Sequence, residues 1–219
     1  CSGTTVANLA ATGTSLKWYT ANTGGSALAT STALSSGTYY VSQTLNSCES
    51  TRTSVSVTVN TTPLAPTASA QTFCAGATVA DLVASPGSVG RYVPIAAYRW
   101  YTSNLGGSPL ATSSTLVSGM YYVSQFVNSC EGERTSVAVT VNTTPAPTAS
   151  AQTFCSGATV ANLVATPGVA GRLSVAPYRW YTSSTGGSAL STATTLVTGT
   201  YYVSQLVNLC EGPRTAVSV

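Results

Sequence analysis

The sequence predicts an all-β protein, three Greek-key β-sandwiches in a head-to-tail tandem array. Three observations carry this. A block of about 80 residues recurs three times. Short runs of Thr, Val and Tyr are punctuated by Gly, Pro and Asn. Charge is scarce: eight cations and five acids in 219 residues, with no histidine, about 6% against the roughly 25% typical of soluble domains.

The repeat is read from motifs. Trp-Tyr pairs fall at Trp18-Tyr19, Trp100-Tyr101 and Trp180-Tyr181. A Gly-x-Tyr-Tyr-Val-Ser-Gln motif begins at Gly37, Gly119 and Gly199. Cys-Glu follows at Cys48, Cys130 and Cys210, and Arg-Thr at Arg52, Arg134 and Arg214. Cys1, Cys74 and Cys155 each open a copy in a Cys-x-Gly-x-Thr-Val motif. The domains predicted are 1–62, which lacks a first strand, 66–143, and 147–219, whose last strand is cut short. Copies two and three carry an insert, 86–99 and 167–179, holding Arg91, Arg99, Arg172 and Arg179. Insertions of this size belong in surface loops, and a binding loop is the functional reading.

Within a copy the turn signals come every 8 to 12 residues. Strands are expected at 67–73 (with its equivalent 148–154), 78–84, 98–103, 109–113, 115–117, 121–128 and 134–142. Seven short strands in this order describe an immunoglobulin-like Greek-key β-sandwich. Alternation puts Val137, Val139 and Val141 on one face. A Trp on the third strand of such a sandwich faces the core, so Trp18, Trp100 and Trp180 are core. Tyr39, Tyr121 and Tyr201 sit where a tyrosine corner belongs and are also core. That leaves Tyr19 with Tyr40, Tyr101 with Tyr122, and Tyr181 with Tyr202 on the outer face. There they act as cross-strand pairs or as a platform for stacking on glycan rings.

Chemistry is thinly represented. The acids Glu49, Asp81, Glu131, Glu133 and Glu211 are scattered along the chain. General acid–base catalysis needs such groups held together, and a metal needs clustered ligands. No catalytic residue, cofactor or metal is expected. Eight dispersed cations make no nucleic-acid stripe, and no apolar run reaches the length of a membrane span.

The ordered set Cys-x-Gly, Trp-Tyr, Gly-Gly, Gly-x-Tyr-Tyr-Val-Ser, Asn-x-Cys-Glu and Arg-Thr-x-Val resembles the immunoglobulin-like repeats of very large secreted Bacteroidota surface proteins. That family includes gliding-type adhesins and surface filaments exported by type IX secretion. The resemblance covers all three copies. It implies an extracellular, cell-surface location and a structural, spacer role in an adhesin or filament. The partners implied are neighbouring copies of the same repeat, through self-association. A carbohydrate- or surface-binding module is the alternative, with glycans as partners. The linkers at 61–66 and 143–147 each carry two prolines, which keeps a connection extended and stiff.

Two cysteines per small repeat suit disulfides in an oxidising compartment. In-copy pairing would give Cys1–Cys48, Cys74–Cys130 and Cys155–Cys210. In a standard sandwich, however, the opening cysteine and the hairpin cysteine lie at opposite ends, about 23 Å apart along a seven-residue strand. A disulfide needs Cα atoms within about 7 Å. The favoured expectation is therefore staggered: Cys1–Cys130 and Cys74–Cys210, with Cys48 and Cys155 serving other repeats.

Overall fold

The computed structural model describes residues 1–87, 97–168 and 177–219. Most of each insert, including Arg91 and Arg172, lies outside the described residues. The described chain is nearly all strand, turn and extended segment.

Each copy is built on one mainly antiparallel sheet. In the first, β1 (Lys17–Tyr19), β2 (Gly37–Ser42) and β5 (Thr53–Val57) form a sheet in the order β1-β2-β5. A small hairpin of β3 (Thr44–Leu45) and β4 (Cys48–Glu49) extends from it in sequence. The second copy has β6 (Gln71–Cys74), β7 (Ala97–Tyr101), β8 (Gly119–Val127), β9 (Cys130–Glu131) and β10 (Thr135–Asn142), in the order β6-β10-β8-β7 with β9 on β8. In the third, β11 (Tyr178–Tyr181), β12 (Thr200–Val207), β13 (Cys210–Glu211) and β14 (Thr215–Ser218) repeat the pattern. Registers match: Trp18 pairs with Val41, Trp100 with Val123 and Trp180 with Val203.

The opposing layer departs from the expected strands. Residues 78–84 fold into a 3-10 turn, Val79–Asp81, with equivalents at Val6–Asn8 and Val160–Asn162. The cause is local. Asp81 accepts from the Thr78 N–H at 2.7 Å and from its hydroxyl at 3.1 Å. Asn8 and Asn162 do the same for the N–H groups of Thr5 and Thr159 at 2.8 Å. A short polar side chain that supplies the backbone's acceptor competes with a strand ladder. Among the described residues that layer keeps single bridges, Thr5 with Ala33, Thr78 with Thr115 and Thr159 with Thr195. Residues 109–113, opened by Pro109, form no strand, and 115–117 contribute only the Thr115 bridge. The expected first strand shrinks to β6, which runs parallel to β10 from Gln71↔Val139 to Cys74↔Asn142. Thr67 and Thr148 make isolated bridges to Ser85 and Thr166, and 148–154 holds no strand.

The core follows alternation. Val6, Trp18, Tyr39 and Val41 form one buried cluster, with Leu9, Leu28 and Val55 packed against it. Val160, Leu163, Trp180, Tyr201, Val203 and Val217 form another. In the middle copy Trp100, Tyr121, Val123, Val137 and Val139 are buried, while Ser136, Ala138 and Thr140 are exposed. Each fully buried Val contributes about 1.5 to 3 kcal/mol. The tyrosine corners close locally: the N–H groups of Ser35, Val117 and Val197 donate to the phenol oxygens of Tyr39, Tyr121 and Tyr201 at 3.1, 3.1 and 3.0 Å.

Grouped by proximity, the chain falls into two units. One comprises Cys1–Ala68, Val83–Pro109 and Tyr122–Ser136, the other Ser69–Leu82, Leu110–Tyr121 and Val137–Val219. Each unit contains one junction between consecutive copies.

Candidate functional site

Two constellations recur, one on the outer face of each sheet and one at each junction. On the outer face, strand alternation turns Tyr19, Tyr101 and Tyr181 away from the Trp side. The expectation that they are exposed there is corrected by the structure: they are 4%, 2% and 4% exposed. Their cover comes from the Cys-Glu and Arg-Thr motifs of the same copy. The Tyr101 phenol donates to Glu131 Oε1 at 2.6 Å, and the Ser124 hydroxyl donates to the same oxygen at 2.6 Å. Arg99 reaches Oε2 at 3.2 Å. The Arg134 guanidinium lies 3.3 Å over the Tyr101 ring and donates to the carbonyls of Ser103 and Gly106, both at 2.8 Å.

The other copies reproduce the set. Glu49 receives Tyr19 at 2.6 Å, Ser42 at 2.7 Å and Lys17 at 3.0 Å, with Arg52 over the ring. Glu211 receives Tyr181 and Ser204 at 2.6 Å and Arg179 at 3.1 Å, with Arg214 over the ring. The arginine also fixes the Gly-Gly turn. Gly106 and Gly107 have φ of +65° and +71°, a region that L side chains enter only with strain.

Electrostatics follow the contacts. Hydrogen bonds from Tyr19, Ser42 and Lys17 lower the Glu49 carboxyl from its ordinary 4.5 to about 2. Burial works against ionisation of Glu131 and Glu211. Donation from Ser124, Tyr101 and Arg99, and from Ser204, Tyr181 and Arg179, outweighs it and keeps both below the ordinary range. Burial, then the Glu131 hydrogen bond, pushes the Tyr101 phenol up. A charge held by three donors of its own copy is a structural lock, with the Glu49, Glu131 and Glu211 side chains still 33%, 29% and 29% exposed. Arg99 and Arg179, expected in an exposed loop, instead lie on β7 and β11 and pair with these carboxylates. Tyr40, Tyr122 and Tyr202 are half-buried.

The acids were separable from one another in sequence, and that hid the lock. The signal was the constant interval: Tyr to Glu and Glu to Arg are equally spaced in all three copies.

At the junctions the cysteines are joined between copies. Cys1 is bonded to Cys130 and Cys74 to Cys210, with Cα atoms 5.5 and 5.3 Å apart. Cys48 and Cys155 are free and exposed. Cys1 and Cys74 each sit on a Cys-x-Gly turn beside the end of their own copy's last strand, where Ser2 and Ala75 donate to the carbonyls of Asn60 and Asn142 at 2.8 and 2.9 Å. The partner lies on a two-residue hairpin with both central residues at positive φ, Asn128 at 47° and Ser129 at 64°. Asn60 reaches across to donate to the Asn128 carbonyl at 2.8 Å.

The linkers are seated on the following copy. Pro66 and Pro147 are fully buried. The carbonyls of Ala65 and Pro63 press on Gly87 and Gly132, where an added Cβ would overlap them. Gly168 and Gly212 take Ala146 and Thr144 in the same way. The Thr135 and Thr215 hydroxyls donate to the Pro66 and Pro147 carbonyls at 2.5 Å.

Among the described residues no group of three or more His, Cys, Asp or Glu is placed to hold a metal, and no helix is long and apolar enough to cross a membrane.

Sheet order, inward Trp, tyrosine corner and threefold recurrence define a tandem array of immunoglobulin-like β-sandwiches. The family model described as "Ig-like domain CHU_C associated" matches residues 1–60, 63–145 and 143–219, and the chain belongs to that family. Among solved structures it is similar to Sidekick-1 immunoglobulin domains 1–5, at 13% identity and a TM-score of 0.22, covering 93% of this chain and 51% of that one. No curated protein matches the chain.

Proposed function

We propose that this chain is a covalently stiffened spacer, a run of structural repeats in the shaft of an extracellular bacterial adhesin or surface filament. The observation that carries the reading is the double closure of each junction, by a disulfide between consecutive copies and by a proline linker seated against paired glycines. A flexible string of beads needs neither. Membership of the Ig-like family and the disulfides support an oxidising, extracellular setting. The resemblance to Bacteroidota surface repeats supports the bacterial assignment.

The test is mechanical. Single chains held by their ends are stretched with and without reductant. With both bonds intact, the shortest covalent path from end to end crosses roughly 65 residues, about 220 Å fully extended. Reduction frees the whole chain, about 750 Å. A spacer of this design stays short until reduced. Equal extension in both conditions overturns the reading.

A further inference from the structure

Copies one and two carry the same cleft beside the lock. In the second copy one wall is the Gly-Gly turn, residues 104–106, and the other is the hairpin exit, residues 131–134. In the first copy the walls are residues 22–24 and 49–52. The cavities measure about 450 and 460 Å³, inside the roughly 300 to 1,000 Å³ of small-ligand sites. The volumes agree although Thr23 stands for Leu105, Ser50 for Gly132 and Thr51 for Glu133. What the two clefts share is Asn, Gly, Glu and Arg, and the lock sets their shape. Arg134 Nη1 holds one wall turn through the Ser103 and Gly106 carbonyls. Arg52 Nη1 holds the other through Ala21 and Gly24, at 2.8 and 2.6 Å.

The groups left over define the ligand. A carboxylate has about four acceptor sites. In both copies Oε1 takes the Tyr phenol and the Ser hydroxyl. Among the described residues Oε2 takes one donor, Arg99 on Glu131 and Lys17 on Glu49. Each Oε2 therefore keeps a spare acceptor site on a partly exposed side chain. On the donor side, Arg134 Nη2 stops 3.9 Å from Glu131 Oε1, beyond hydrogen-bond distance. Asn104 and Asn22 are exposed at the rim and add an amide that both donates and accepts.

Acceptors and donors thus stand side by side. An anion would meet the carboxylate and a cation the guanidinium, and like charges so placed repel. A neutral ring whose adjacent hydroxyls each donate and accept suits both. The tyrosine rings below are covered by Arg134 and Arg52, so such a ring is held by its hydroxyl edge and not by stacking. We infer that these two clefts bind neutral sugar residues of a glycan, so that the array holds saccharide along its length. Joining consecutive copies turns weak single sites into avidity for a polymer carrying many such residues.

The experiment titrates the whole oxidised chain, isotopically labelled, with methyl glycosides of glucose, galactose, mannose, xylose and N-acetylglucosamine, and follows its amide signals by NMR. At least one glycoside is expected to shift Gly24, Ser50, Gly106 and Gly132 saturably in the millimolar range. The double variant Asn22→Ala, Asn104→Ala is expected to bind about fivefold more weakly, the value of one hydrogen bond. Its melting temperature should not change, because both side chains are exposed. The methyl glycosides of glucuronate and glucosamine, the same ring with a negative or a positive charge, are expected to bind several-fold more weakly than the neutral ring. The inference is overturned by no saturable shift with any neutral glycoside, by shifts outside the clefts, by a double variant that binds equally well, or by a charged ring that binds as tightly. None of these outcomes touches the spacer reading, which single-chain stretching decides.

Discussion

Tyr101 and Glu131 meet at 2.6 Å on the outer face of the middle sheet, a phenol donating to a carboxylate that Ser124 and Arg99 also serve. The same distance separates Tyr19 from Glu49 and Tyr181 from Glu211. The pair ties the hairpin that carries each second cysteine to the strand that carries each core Trp. Its strength bears on fold and junction alike.

Glu131→Ala leaves the buried Tyr101 hydroxyl without its acceptor. The expected cost is about 1 to 3 kcal/mol, the penalty for an orphaned buried donor. Tyr101→Phe removes the donor but keeps the ring under Arg134, and is expected to cost less. Urea midpoints followed by Trp fluorescence order the two variants. Equal and negligible shifts would show that the lock carries no stability.

Acid should loosen the array in a defined window. The folded carboxyls lie below their unfolded values, Glu49 at about 2 against 4.5, with Glu131 and Glu211 lowered in the same direction. A depressed folded pKa means that the unfolded chain binds protons first, so stability rises with pH. The contribution is complete above about pH 5 and is lost as pH falls toward 2. Melting temperature measured across that range should drop below pH 4.5. The triple variant with Glu49, Glu131 and Glu211 changed to Gln should show a flatter profile.

Gly132→Ala places a methyl group against the Pro63 carbonyl, where the added atom has less than contact distance. Overpacking of this kind costs roughly 1 to 3 kcal/mol. It should also slow formation of Cys1–Cys130 on refolding, because the linker must be seated for the two cysteines to meet. Ser50→Gly at the equivalent position of the first copy loses the hydroxyl's hydrogen bonds with the Gln43 N–H and the Thr51 carbonyl and about 0.5 to 1 kcal/mol of backbone entropy. It creates no overlap and should leave formation of Cys1–Cys130 unchanged. Quenched-refolding mass spectrometry and thermal melts separate these effects.

Much of the fold was legible because it rests on period and alternation. Trp100, Tyr121 and Val123 were placed inward by their position in repeated strands, and strand length against disulfide reach distinguished the two cysteine pairings on paper. The failures share one cause, side chains acting on backbone or on one another over distances that periodicity does not report. Asp81 turns a predicted strand into a 3-10 turn by accepting from Thr78. Arg134 and Glu131 bury Tyr101 on a face that alternation correctly turned outward. The glycine seats were invisible because their partner is a carbonyl of the preceding linker.

The staggered bonds give the molecule an unusual connectivity. Cys1–Cys130 and Cys74–Cys210 overlap in sequence rather than nest. A single backbone cut anywhere between Cys1 and Cys210 therefore still leaves one covalent object, since every fragment end remains tied through at least one crossing bond. In-copy pairing would leave each linker as a point of severance. A surface exposed to proteases thus tolerates nicking without shedding what lies beyond the nick, so long as both bonds stay oxidised.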